Sequence, residues 1–336
     1  MLSMSITDVR DRLPLPPYPV GWYGVAFAHE ITAGEVKRLQ FAGREVVAFR
    51  TESGRPAMFE AYCPHLGAHL GHGGCVIGET LRCPMHHFRF SPDGVCTAVG
   101  AGHTRPPAVR AAVVHVRENC GVLLAWHHGD NAPPTWEPPP LADPSLGPPQ
   151  RRSIVIRSHV QELAENLFDG AHFAAVHGYV DPQLSSRPVS EGHVIRGTTR
   201  FQVTSALGPF KRNVRVELTN ELHGLGIIRF DSVADPGGLA FHGAFTPNPL
   251  ASGLVEFRIS VWVREVDEGL ATLPLFRRLP RRMQEELMGR LLLLNMMRDV
   301  RQDQAILEHK RHLARPGLAD GDAAIPVFRR WARQFY

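Results

Sequence analysis

Eight prolines fall between Pro133 and Pro149. Proline has no backbone N–H to donate and fixes its own φ, so the stretch from His128 to Gln150 can be neither helix nor central strand. It reads as an extended linker lying over the surface, and it forces the chain into two units. The expected division is 18–128, a linker over 129–151, and 152–336, with both flanking units of ordinary domain size.

The composition supports two packed cores. Hydrophobic residues make up 43% of the 336 and charged residues 21%, which is not the profile of a disordered chain. The net charge of +4 comes from basic residues scattered along the chain, so a nucleic-acid partner is not expected. No apolar run reaches the length a membrane span needs, and the first twenty residues lack a signal-peptide profile. A cytoplasmic location without a membrane span is the expectation. Five cysteines, an odd number, accompany 18 histidines, which favours metal or redox chemistry over a disulfide framework.

The first unit is β-rich. Glu45–Arg50 and Ala57–Ala61 flank a Ser53-Gly54 turn, and Ala111–Arg117 and Gly121–Trp126 flank Asn119-Cys120, two hairpin patterns that predict a small β-sandwich. The second unit begins with helical spacing from His159 to Val176. Strands follow at Thr198–Thr204, Asn213–Thr219, Gly226–Asp231 and Val255–Val263, and a long helix is expected between Pro280 and Pro316. One sheet with helices packed on it makes this unit α+β.

Two constellations carry chemistry. Cys63 and His65 are separated by 17 residues from Cys83 and His86, a C-x-H-x17-C-x2-H pattern. Glycines at 67, 71, 73 and 74 let the backbone approach a cluster closely. Zinc would take all four ligands at one tetrahedral centre. A Rieske [2Fe–2S] cluster places two thiolates on one iron and two imidazoles on the other, and one Cys plus one His from each loop is what that geometry requires. Further on, Asp169, His172 and His177 form D-x2-H-x4-H. Five residues separate the histidines by about 140° on an ideal helix, so both can bind one metal only where the helix loosens or ends. Gly178 can supply that end. On the last helix Asp303 lies in register with Met296, Val300 and Leu307, where a charge is costly unless paired or metal-bound. Asp299, one turn away beside Asn295 and Gln302, is the alternative ligand and otherwise reads as a solvated charge.

The stretch CPHLGAHLGHGG…CPMHHFRFSPDG resembles the Rieske domain of ring-hydroxylating and related oxygenases. His87 departs from that family, where glycine is common. Ala68 and Met85 stand where high-potential Rieske proteins carry an extra disulfide, so a low-potential cluster is implied. Cys75, Cys96 and Cys120 are left over and read as small buried side chains. The resemblance implies an N-terminal all-β Rieske domain and a C-terminal helix-grip, START-like catalytic domain, α+β overall. It implies cluster ligands Cys63, His65, Cys83 and His86, and a mononuclear Fe(II) held by His172, His177 and Asp303, with open positions for O2. Asp169 would be the carboxylate that steadies His172 and reaches His86 of a neighbouring subunit, with Glu165 and Asn166 supporting it.

The same resemblance implies a terminal oxygenase working as a homotrimer. No G-x-G-x-x-G opens a helix, so NAD(P)H would act only through a separate reductase or ferredoxin. The H-F-x-x-V-H run of His172–His177 looks like the steroid and sterol monooxygenase branch. A small, bulky hydrophobic substrate is expected, lined by Leu207–Phe210, Phe241–Phe245 and Leu273–Leu279, and hydroxylated or oxidatively demethylated. An aromatic-ring dioxygenase, or an electron-transfer or lipid-binding protein without catalytic iron, are the alternative readings.

Overall fold

The structure is a computed structural model describing residues 11–100, 102–185, 187–205, 212–235, 239–266 and 274–336. The N-terminal unit holds ten short strands in three small antiparallel sheets. One joins β1 (Gly21–Phe27) to β10 (Val122–His127) and β9 (Val116–Asn119). A second joins β2 (Val36–Phe41), β3 (Arg44–Arg50) and β4 (Pro56–Glu60). The third runs β5 (Cys75–Ile77), β6 (Thr80–Arg82), β7 (Arg89–Phe90) and β8 (Cys96–Ala98).

Both expected hairpins form, with one boundary moved. At β9–β10 the turn is Cys120 and Gly121, both in the left-handed region (φ 46° and 73°), the conformation that two-residue hairpins favour. The strand before that turn begins at Val116 rather than Ala111. The residues ahead of it bond to β4 instead, with Glu60 N–H donating to Ala112 O and Val114 N–H to Met58 O.

The proline-rich stretch runs without helix or strand from His128 to Pro149. It is a fixed strap, because other elements satisfy its carbonyls. The indole N–H of Trp22 donates to Trp136 O at 2.8 Å, that of Trp126 to Ala132 O at 3.0 Å, and the Asn119 amide to Pro139 O at 2.7 Å. Leu141 is fully buried beneath it.

The C-terminal unit is one nine-stranded antiparallel sheet. Its order is β11 (Gln150–Ile156), β19 (Leu254–Glu265), β17 (Ala240–Phe245), β16 (Ile227–Asp235), β15 (Arg212–His223), β14 (Val194–Ser205) and β12 (Val180–Leu184). The short strands β13 (Val189–Glu191) and β18 (Asn248–Ala251) pair with β14 and β19. The helices are α1 (Val160–Glu165), α2 (Gly170–Ala175), α3 (Pro274–Arg277), α4 (Arg281–Leu307) and α5 (Ala324–Ala332). α4 packs over β11 and β19. Leu293, Met297 and Val300 of α4 join Phe230, Phe245, Phe257 and Ile259 of the sheet, and Tyr23 and Val25 of β1, in a single core. Each such side chain contributes about 1.5–3 kcal/mol by leaving water. No helix among the described residues is long and apolar enough to cross a membrane.

Two helical expectations are corrected. The helix expected over His159–Val176 is in pieces: α1, a 3₁₀ turn at Asn166–Phe168, and α2. The break falls at Asp169, whose backbone is extended (φ −91°, ψ 93°) and whose carboxylate caps α2. Carboxylates favour that position because they satisfy orphan N–H groups there. α4 stops at Leu307, well short of Pro316.

Candidate metal centres

The first constellation sits on two loops, one between β4 and β5 and one between β6 and β7. Each loop is closed in the same way. Cys63 N–H donates to Ala68 O and Cys83 N–H to Phe88 O, both at 2.8 Å, so each cysteine anchors to the fifth residue beyond it. Gly74 permits the first loop to fold tightly, since a Cβ there would lie 2.0 Å from Leu70 O. Cys63 and Cys83 are buried, whereas the rings of His65 and His86 are half-exposed, with centroids 4.7 Å apart. Phe88 stacks on His65 at 4.4 Å.

The donors fit a two-iron cluster better than zinc. Cys63 and Cys83 lie side by side and buried, and His65 and His86 lie side by side and half-exposed, so thiols and imidazoles are segregated as a two-iron cluster requires. Burial pushes the Cys63 thiol up to about 11, and the Cys83 thiol beside it adds to the rise. A buried thiol held that high gives up its proton only where a metal supplies the opposing charge. His103 closes over the histidine pair, with ring centroids 5.6 Å from His65 and 5.7 Å from His86. No spacing in the sequence singled His103 out. Among the leftover cysteines, Cys96 is buried, Cys75 and Cys120 are half-buried, and all five are free thiols.

The second group is His172, His177 and Asp303, whose ligand atoms all lie within 4.8 Å of one another. Local capping brings them together. The Asp169 carboxylate accepts from Ala171 N–H at 3.1 Å and His172 N–H at 3.3 Å, starting α2. Gly178, at φ 70°, ends it by donating to Ala174 O, and Tyr179 N–H donates to Phe173 O. His177 therefore lies beyond the helix and swings back to within 5.1 Å, ring to ring, of His172. Asp303 arrives from α4, its Oδ1 3.4 Å from His177 Nε2.

Both rings present the same nitrogen. His172 Nδ1 lies 2.5 Å from Asp169 O, and His177 Nδ1 3.0 Å from Gln302 Oε1. Each acceptor holds the Nδ1–H tautomer and leaves Nε2 free as a ligand atom. Burial pulls the His172 imidazole down. It opposes protonation of His177 too, but Asp303, Gln302 and Asp299 outweigh it and raise that group. Two imidazoles and one carboxylate on one side of a point is the donor set of non-heme Fe(II) sites with open positions.

Three placements differ from the sequence reading. Asp299 is not a freely solvated charge: it is half-buried, accepts from Tyr179 O–H at 2.7 Å, and lies 3.8 Å from His177. Burial raises its carboxyl despite that hydrogen bond. Glu165 is turned to Arg329 instead, accepting from its Nε and Nη2 at 2.5 and 2.8 Å. It is the backbone carbonyl of Asp169, not its carboxylate, that steadies the His172 ring. Of the expected pocket segments, Phe241–Phe245 forms β17, with the Phe245 ring 4.7 Å from Phe230, while Leu207–Phe210 and Leu273 lie outside the described residues.

Residues 21–110 match the Rieske [2Fe-2S] domain family, and residues 125–336 match the family described as 3-ketosteroid 9alpha-hydroxylase C-terminal domain. The chain is a Rieske oxygenase. It carries a [2Fe–2S] cluster and, like other Rieske oxygenases, needs a separate electron donor. The oxygenase is 28% identical to cholesterol 7-desaturase nvd 1 of Ciona intestinalis, over 98% of this chain and 70% of that one. It is 27% identical to a probable 3-ketosteroid-9-alpha-monooxygenase oxygenase component of Rhodococcus rhodochrous, over 99% of this chain and 85% of that one. The crystal structure of dicamba monooxygenase bound to 3,6-dichlorosalicylic acid has the same fold, with a TM-score of 0.74 at 15% identity, covering 94% of this chain and 97% of that one.

Proposed function

We propose that this oxygenase is the terminal component of a monooxygenase acting on a steroid or sterol. The carrying observation is the convergence of His172, His177 and Asp303 within 4.8 Å, in a domain of the 3-ketosteroid 9alpha-hydroxylase type. In this reading the Rieske unit spans 18–128, the strap 129–151 and the catalytic unit 152–336. Cys63, His65, Cys83 and His86 hold the cluster, and His172, His177 and Asp303 hold a mononuclear Fe(II). When bound, the two centres supply electron transfer from a reductase or ferredoxin and the activation of O2.

The chain's own residues supply orientation. Asp169 O and Gln302 fix the imidazole tautomers, and Asp299, held by the Tyr179 hydroxyl, lies 3.8 Å from His177. In this reading the apolar pocket expected at Phe241–Phe245 would be walled by Phe241 and Phe245, whose rings pack on Phe230. In a homotrimer, Asp169 would meet His86 of the next subunit. Exposed Ala171 and Ala174 beside it leave room for such an approach.

Iron content and products test the reading together. The loaded protein should hold about three iron atoms per chain, and Asp303→Ala about two, with the cluster's visible spectrum unchanged. With a reductase and a 3-ketosteroid or cholesterol, the wild type should give an oxygenated product. A wild-type content of two irons refutes the catalytic site. The similarity to cholesterol 7-desaturases favours a second outcome at the same site, a product that has lost two hydrogens instead of gaining oxygen.

A further inference from the structure

α4 is apolar on the side that faces away from the sheet. Met283, Leu287, Leu291 and Leu294 recur at helical spacing and are 51%, 42%, 42% and 66% exposed. The buried face of the same helix is formed by other residues, among them Leu293, Met297 and Val300. A helix apolar on both faces calls for cover on the second one, and a contiguous exposed apolar surface marks a docking site.

The charge around this stripe says what the cover is. Four arginines, 277, 278, 281 and 282, precede it within six residues, and all are exposed. From 277 to 301 the chain carries seven arginines against three carboxylates, and two of those carboxylates, Glu285 and Glu286, are already paired with Arg281 and Arg290. The partner must therefore be apolar along the stripe and anionic at its border. A second copy docking by this same face would set arginines against arginines, and the neighbour proposed at Asp169 lies toward the Asp303 end of α4, about 24 Å along the helix from Leu287.

We propose that the exposed face of α4 docks on the surface of an anionic lipid bilayer. The apolar side chains enter the boundary between headgroups and acyl chains, and the arginines meet lipid phosphates. α4 lies on the membrane and does not cross it. The same helix carries Asp303 near its other end, so docking would bring the oxygenase to a reservoir of water-insoluble substrate. That purpose rests on the sterol reading above. The docking itself does not, because vesicle binding is scored without turnover.

The test is co-sedimentation of the cluster-loaded full chain with vesicles of equal parts phosphatidylglycerol and phosphatidylcholine, and with phosphatidylcholine alone. The expected result is binding to the mixed vesicles that weakens as salt rises. Partition should fall about tenfold in Arg278→Glu/Arg282→Glu and in Leu287→Ser/Leu291→Ser. These side chains are exposed, and an unchanged visible spectrum and melting temperature will show that each variant is folded. Absence of wild-type binding, equal binding to neutral vesicles, or variants that bind like the wild type would each overturn the proposal. So would a smaller oligomer in Leu287→Ser/Leu291→Ser with unchanged vesicle partition, which would assign the face to a second copy.

Discussion

His177 and Gln302 form a locked pair: the ring Nδ1 lies 3.0 Å from the amide oxygen, with the opposite ring nitrogen 3.4 Å from Asp303. Gln302 and Asp303 are neighbours on α4, so one stretch of helix supplies a ligand and orients another. Outer partners of metal-bound histidines set ring orientation and tautomer, and their loss costs roughly 10–100-fold in metal affinity. Gln302→Leu is expected to weaken Fe(II) or Co(II) binding by that factor, with Gln302→Glu restoring most of it. Anaerobic titration of protein with its cluster intact measures both. Equal affinity in Gln302→Leu would mean that the ring is held by packing alone.

His87 is strained. Its φ of 59° places a residue with a Cβ in the left-handed region, which costs about 1–2 kcal/mol for residues other than glycine. His87→Gly should raise unfolding free energy by about 1 kcal/mol in urea denaturation and leave the cluster's visible spectrum as it was. Loss of the spectrum would show that His87, rather than His86, ligates iron.

Acid should destabilise the fold before it touches the carboxylates. Burial holds His127 and His159 down to about 4, from an ordinary value of 6.5. For His159 the reason is visible: Nδ1 accepts from Gln161 N–H at 3.1 Å while Nε2–H donates to Pro16 O at 3.1 Å, an arrangement only the neutral ring can make. Below pH 6.5 the unfolded chain takes up protons that the folded chain refuses. The stabilisation is complete above that value and drains away as pH falls to about 4, by on the order of 3 kcal/mol per histidine. Denaturation midpoints at pH 7 and pH 4.5 measure it, and His159→Gln should flatten the profile. A profile unchanged by that substitution would contradict the assignment.

Much of this was legible in the chain because it rests on short-range spacing. The two Cys–His loops follow from residues a few positions apart, and the proline run announced the strap. Asp169 carried a readable signal as well, since an aspartate followed by Gly-Ala-His is an N-cap pattern, and it divides what periodicity alone reads as one helix. Asp299 was opaque for a different reason. Its partner Tyr179 is 120 positions away, and a charge on a helix looks solvated until the element packed against it is known. His103 was hidden likewise, brought to the cluster loops by the fold and not by any motif.

Asp299, Gln302 and Asp303 ride on one unbroken rod, so they cannot be adjusted one at a time by bending it. A change of pitch anywhere along α4 would displace all three together. In the proposed reading, a change in what this oxygenase accepts would have to come from side chains on other elements, such as Phe230 of β16 or Phe241 of β17, rather than from any adjustment of α4.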